Sequence, residues 1–298
     1  MSRELRCIAL VCLGIIGALR ATAGQDVSPA RPAPRTGYLT STQLPDVSRI
    51  VPPAPTPGDA RFLADMAIFR ATRALEGSPR WAMALSDDNV STNGILSAFS
   101  CALGVQTTAE TMPRLRALLA RANTDTLRPA LALKKQYQHK RPFQVEPGKV
   151  CLSDRGRTAL ETDPDYPSGH TTASWEAGLI LAEIVPEASS EILLRARAFG
   201  ESRIVCGVHN ASAIEAGRLT ATAVFAAQHA SAEFRADVDA AREELTALRA
   251  LHSDRPERCK DEAAMLANSP FSQPVVKRVC ELRGTEGTTP KRRGSEKI

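Results

Sequence analysis

From Asp59 onward the apolar residues of this chain recur at helical intervals. Phe62, Met66 and Phe69 stand four and three apart, so one helix face carries all three. Ser78-Pro79 then reads as N-cap and first-turn proline of a second helix, with Trp81 near its start. The same periodicity predicts helices over about 92–103, 112–140, 152–160, 168–184, 187–204, 210–230 and 231–251. Ser168 is a suitable N-cap, and Gly200 interrupts its helix without ending it. No alternating polar and apolar run is long enough to demand a sheet. The expected fold is all-α, a multi-helix bundle with its helical domain at 59–252.

The flanks read differently. Residues 1–23 have the form of a secretory signal: Arg3 and Arg6, an apolar run from Cys7 to Leu19, then Ala21-Thr22-Ala23 for cleavage near Ala23. A retained membrane anchor is the competing reading, but the run is short for a span and no later segment is apolar enough. Residues 24–58 hold eight of the 20 prolines, which denies helix and ladder and predicts an extended surface arm. Residues 253–298 form a C-terminal extension ending in a polar, basic tail from Gly284.

Composition narrows the partner. A net charge of +5 without a strongly cationic helix argues against nucleic acid and for a small anion. Five cysteines follow the signal, and the signal implies an oxidising compartment. Cys259 and Cys280 could close a C-terminal loop, leaving Cys101, Cys151 and Cys206 with at most one further pair. Neither a CxxC nor a Cys/His spacing suggests zinc, and no metal or other cofactor is expected.

Three short stretches carry the chemistry. Lys134 and Arg141-Pro142 supply two cations seven residues apart, which on a continuous helix share a face. Pro167-Ser168-Gly169-His170 suits a helix start whose free N–H groups and dipole attract phosphate, with glycine permitting close approach. Ser202-Arg203 precedes His209, giving a guanidinium fork and a second imidazole. A phosphoryl transition state spreads negative charge over its equatorial oxygens and needs such a cradle.

In this order and spacing the stretches resemble the phosphatidic acid phosphatase type 2 and vanadium haloperoxidase superfamily, whose signature is Lys-x6-Arg-Pro, Pro-Ser-Gly-His and Ser-Arg-x5-His-x3-Asp. Within it the chain looks most like the bacterial class A non-specific acid phosphatases, through Tyr166 to Thr171 and Cys206-Gly207-Val208-His209. The resemblance extends from Tyr38-Leu39 to about residue 250. It implies a metal-free, exported, commonly homo-oligomeric enzyme acting on many phosphomonoesters, in the periplasm or outside the cell, with inorganic phosphate or vanadate as inhibitor. Carried over by position, His209 attacks phosphorus to form a phosphohistidine and His170 protonates the departing alcohol. Lys134, Arg141, Ser168, Gly169 and Arg203 hold the phosphoryl oxygens.

The residues after His209 depart: the family typically continues Trp-Gln-Ser-Asp, and this chain has Asn210, Ala211 and Ala213 at three of those four places. Where the pattern has the aspartate that orients the nucleophile, this chain has Ala213, after His209-Asn210-Ala211-Ser212. Glu215 lies about 240° round an ideal helix from His209 and points elsewhere, so a replacement carboxylate, such as Asp165 or Glu215, would have to reach the ring by an irregular route. The resemblance with this loss implies an impaired enzyme; the alternative is a catalytically dead homologue that binds phosphate or phosphoesters. A haloperoxidase would be longer, and a lipid phosphatase of this superfamily would carry membrane spans.

Overall fold

The computed structural model describes residues 36–252, 256–267 and 269–271. The signal region 1–23, the arm before Thr36, Cys280 and the basic tail lie outside the described residues. Among those described, helices account for the regular structure and no strand occurs. They are α1 (Ala60–Thr72), α2 (Pro79–Ser86), α3 (Thr92–Leu103), α4 (Pro113–Tyr137), the short α5 (Pro142–Val145), α6 (Asp154–Ala159), α7 (Gly169–Ile184), α8 (Ser189–Val205), α9 (Ala211–Gln228), α10 (Ala232–Leu251) and α11 (Cys259–Leu266).

Local chemistry sets these bounds. Asp59, Ser78, Ser91, Ser153, Ser168 and Ser231 each accept a hydrogen bond from a first-turn N–H, satisfying donors that a helix start leaves open. Helix α4 tolerates Pro113 at its first turn, where no N–H is needed, and contains Pro129. It stops at Gln138, which turns left-handed (φ 47°) and donates its N–H to the Lys134 carbonyl.

Helix α7 is the central element, packed on α8, α9 and α4, with α10 lying against α4 and also touching α7. The main apolar cluster joins Leu96 and Phe99 of α3, Leu115 and Leu118 of α4, Ile180 and Leu181 of α7, and Phe234 and Val238 of α10. Burying each such side chain contributes about 1.5–3 kcal/mol before entropy is charged. The α7 and α9 starts lie against each other: a Cβ at Gly217 would stand 2.8 Å from the Ser168 carbonyl oxygen. The Ser168 N–H donates to the Ala213 carbonyl at 3.0 Å, which fixes the two N-termini side by side.

Two expectations need correction. The described part of the proline arm is not merely a surface strand: Leu39, Val47 and Val51 are buried against Leu133, Tyr166 and Val224. The prolines leave room there for only a 3₁₀ turn at Val47–Arg49, but they do not prevent apolar insertion between helices. Cys259 pairs with Cys101, not Cys280, so the crosslink ties α11 to α3 across 158 residues. The second pair is Cys151–Cys206, with Cα atoms 4.6 Å apart.

Candidate active site

The end of α4, the start of α7 and the α8–α9 turn bring the predicted cations and imidazoles together. Lys134 sits in the last turn of α4, Arg141 is the residue before α5, and Arg203 lies in the last turn of α8. All three are at least nine-tenths buried. Lys134 and Arg141 do not share a helix face, because Gln138 ends α4 between them. They converge instead on Asp163, whose Oδ2 accepts from Arg141 Nη2 at 2.5 Å and whose Oδ1 accepts from Lys134 Nζ at 3.1 Å. Lys134 also donates to the Pro164 carbonyl. Burial, then the Arg141 charge, holds the Lys134 ammonium below its ordinary range.

Arg141 is fixed at every nitrogen. Its Nε donates to the Asp163 carbonyl at 2.8 Å, and its Nη1 donates to the Val208 carbonyl at 2.7 Å and lies 3.2 Å from His209 Nε2. Arg203 is different. Its Nη2 donates to Asp88 Oδ1 at 2.6 Å, while Nε and Nη1 are buried and have no hydrogen-bond partner among the described residues. Unpaired buried guanidinium donors are costly and mark a place for an anion.

Ser168 caps α7, and a Cβ on Gly169 would meet no atom within 4 Å, so the backbone at the helix start is open to close approach. His170, in the first turn, donates its Nε2–H to the Asp88 carbonyl, 3.0 Å away. Burial, then the charge of Arg203, pushes its imidazole well below the usual range, with His209 and Arg141 adding to the effect. These influences set both histidines and both guanidinium groups within electrostatic reach of one another.

His209 stands in the turn before α9, whose N-cap is Asn210 and whose first residue is Ala211. The turn is held from behind. Arg73 Nη2 donates to the carbonyls of Ile204 (2.9 Å) and Val205 (2.7 Å), and Cys151 N–H donates to the Cys206 carbonyl beside the disulfide. Gly207 turns left-handed at φ 81°, and a Cβ there would lie 2.6 Å from Arg73 Nη1.

Ala213 is buried and offers the His209 ring no carboxylate, yet the ring has one. Asp165 Oδ1 lies 2.8 Å from His209 Nδ1. Glu215 pairs with Arg218 on the exposed side of α9, as its position predicts. Burial alone would raise the Asp165 carboxyl, but hydrogen bonds from His139 and His209 outweigh it and keep the group ionised. Burial, then Arg141, lowers His209 to about 3, so its imidazole is neutral over the mildly acid range. With Nδ1–H directed to Asp165, Nε2 keeps its lone pair beside Arg141.

Asp163, Asp88 and His139 join the site without having been singled out in the sequence, whereas Asn210 is named there as a departure beside His209. The nearest available signal was position: Asp163 and Asp165 immediately precede the Tyr166-Pro167-Ser168-Gly169-His170 turn.

Comparison with known proteins identifies the family. The PAP2 superfamily pattern matches residues 115–236. The chain is 37% identical over 211 residues to an acid phosphatase of Zymomonas mobilis, covering 70% of this chain and 80% of that one. It is 32% identical over 227 residues to a non-specific acid phosphatase of Providencia stuartii, covering 76% and 90%. A non-specific acid phosphatase of Salmonella typhi is 34% identical over 213 residues, covering 70% and 84%.

Proposed function

The chain belongs to the PAP2 superfamily, among the bacterial acid phosphatases, and from that premise we propose that it hydrolyses phosphate monoesters through a phosphohistidine on His209. The observation that carries the reading is Arg203, buried beside His170, with two guanidinium N–H groups left unpaired. Together with Lys134, Arg141 and the open backbone at Gly169, it suits the equatorial oxygens of a phosphoryl group in transfer.

In this mechanism His209 Nε2 attacks phosphorus and forms the N–P bond as the ester P–O bond breaks. His170 supplies the proton to the departing alkoxide. Water then attacks the phosphohistidine, His170 accepts its proton, and the N–P bond breaks to release inorganic phosphate. A dianionic ester beside His170 offsets the Arg203 charge and favours the protonated imidazole needed for the first step. The depressed titration of His209 keeps its attacking nitrogen bare under acid conditions, which suits an acid phosphatase.

Export fits the chemistry of the chain, since Cys101–Cys259 and Cys151–Cys206 persist in an oxidising compartment such as the periplasm. No described helix is long and apolar enough to cross a membrane. The alternative, a phosphate-binding homologue without turnover, is disfavoured by the carboxylate on His209 Nδ1.

The test is hydrolysis of p-nitrophenyl phosphate by purified protein at mildly acid pH, with acid-quench labelling of the phosphoenzyme. Turnover in the native chain and loss of labelling in His209→Ala are expected. Labelling that persists in His209→Ala moves the nucleophile elsewhere; phosphate binding without turnover establishes the alternative.

A further inference from the structure

We propose that Asp165 is the positioning carboxylate of His209, doing from the loop before α7 what the family pattern assigns to residue 213, and that His139 and Asn210 hold it there. The inference rests on the reading of His209 as the attacking group and names what orients it.

The argument starts from helix geometry. Residue 213 is the third residue of α9, and a carboxylate at that position characteristically reaches back to the N–H of the N-cap. That route leads to Asn210 N–H and, beside it, the His209 ring. In this chain both donors already have an acceptor. Asp165 Oδ1 takes the Asn210 N–H at 3.2 Å and His209 Nδ1 at 2.8 Å. One carboxylate from another segment therefore fills both roles, and Ala213 has no donor left to serve. In the first turn, Ser212 N–H also has an acceptor, donating to Asp65 Oδ1 at 2.9 Å.

The second oxygen fixes the carboxylate's orientation. Asp165 Oδ2 accepts from Asn210 Nδ2 at 2.9 Å and lies 3.1 Å from His139 Nδ1. Four donors thus surround a side chain with no exposed surface. Asn210, itself one of the departures after His209, contributes both its backbone and its amide to the carboxylate. Asp165, Asn210 and Ala213 form one coupled set.

His139 adds charge to this arrangement. Its Nε2 lies 3.0 Å from the Pro55 carbonyl and its Nδ1 faces the Asp165 carboxylate. Both partners only accept, and a neutral imidazole has one N–H, so both bonds exist together only in the imidazolium. Around the ring stand Asp165, Asp65, the Pro55 carbonyl and, edge on, Tyr166. Burial would lower this histidine, but the Asp165 hydrogen bond and charge overcome it, so it titrates above its ordinary value. A cation behind Asp165 balances its charge, which reduces its tendency to take the Nδ1 proton. The same ring ties the carboxylate to the proline arm.

The experiment combines imidazole ¹⁵N–¹H spectra with kinetics on p-nitrophenyl phosphate for native protein, Asp165→Asn and His139→Gln. In the native chain His209 should carry its proton on Nδ1, shifted downfield by the carboxylate, with Nε2 bare. Asp165→Asn should lose that signal and at least about 100-fold in kcat, a smaller penalty than the roughly 10⁴ of the serine-protease aspartate. Its phosphate inhibition constant should stay within about threefold, because the cradle cations are untouched. His139→Gln should cost about tenfold in kcat and remove an alkaline limb from the rate profile, while keeping the downfield proton. A bare Nδ1 in the native spectrum overturns the proposal, and the spectrum decides this even if a variant fails to fold. Native kcat in Asp165→Asn also overturns it. A native chain with the downfield proton but no turnover instead overturns the hydrolase reading and, with it, any catalytic use of Asp165.

Discussion

Ala213→Asp separates the family pattern from the structure, because the two expect opposite results. By the pattern, the substitution restores a missing group and raises activity. In the structure, residue 213 is buried with Leu39, Val47, Leu133 and Tyr166 around it. The donors its carboxylate would seek are held by Asp165. Two carboxylates competing for the same donors approach to about 4 Å, where repulsion at an effective dielectric of 20 is about 4 kcal/mol. Protonation relieves this, and about 4 kcal/mol moves the new carboxyl's titration from near 4 to near 7. Its folded pKa then lies above its unfolded one, so the folded state retains a proton that the unfolded chain releases. Stability is therefore lost progressively as pH rises between those values. At pH 7.5 the expected loss is about 3–4 kcal/mol, or roughly 6–16 °C in Tm for a domain of this size. At pH 4.5 most of that penalty disappears. Thermal unfolding at both pH values, with kcat on p-nitrophenyl phosphate, is the assay. A tenfold rise in kcat with unchanged Tm would refute the reasoning, since Asp165 could not then be filling the place.

Other perturbations probe the cradle and its supports. Arg203→Lys keeps a charge but removes the unpaired fork; losing one charged donor costs about 1.5–3 kcal/mol, so inhibition by phosphate should weaken by roughly 10–150-fold. An unchanged inhibition constant would remove Arg203 from the pocket. Replacing Cys151 and Cys206 by serine should cost up to about 4 kcal/mol from loop closure over 55 residues and should lower kcat by loosening the turn before His209. A native Tm and kcat in that double variant would make the crosslink incidental. Glu176 is raised to about 8 by burial, although Thr126 and Gln228 donate to it. Its folded pKa exceeds its unfolded one, so native stability should fall between about pH 4.5 and 8 and Glu176→Gln should flatten that slope. Equal pH slopes in the two proteins would contradict this.

Helical periodicity was legible because the long helices bury apolar faces, and α3, α7 and α10 also start at a serine that caps them. The predicted spans end within a few residues of α3, α7, α8, α9 and α10. The cradle was legible too, but for one wrong reason. Nothing in Lys135-Gln136-Tyr137-Gln138 announces that α4 stops, since neither glycine nor proline marks the left-handed turn at Gln138. Lys134 and Arg141 meet through Asp163, which sequence spacing cannot reveal. The carboxylate on His209 was harder still, because it arrives from 44 residues upstream rather than from the next helical turn. His139 draws its importance from Pro55, 84 residues away, and Cys101 finds Cys259 only once α3 and α11 are packed. Local pattern predicts local structure; these pairings depend on how distant helix ends converge.

The acidic residues around the cradle explain how three cations tolerate burial before a substrate arrives. Lys134 and Arg141 lean on Asp163, and Arg203 on Asp88, yet both carboxylates remain over 40% exposed in their side chains. Such half-solvated partners offset the desolvation of the cations while retaining access to water themselves. On the proposed function, an incoming phosphate would replace Asp163 and Asp88 as the anionic partner of these cations, with the two carboxylates turning out to water. Asp165 behaves oppositely. It is wholly buried and bound to four donors, so it cannot be exchanged for substrate and remains committed to the imidazoles. On the proposed function the rim carboxylates would be the ones that phosphate replaces, whereas the inner one is fixed behind His209, so substrate binding would discharge the cations without disturbing the proposed nucleophile.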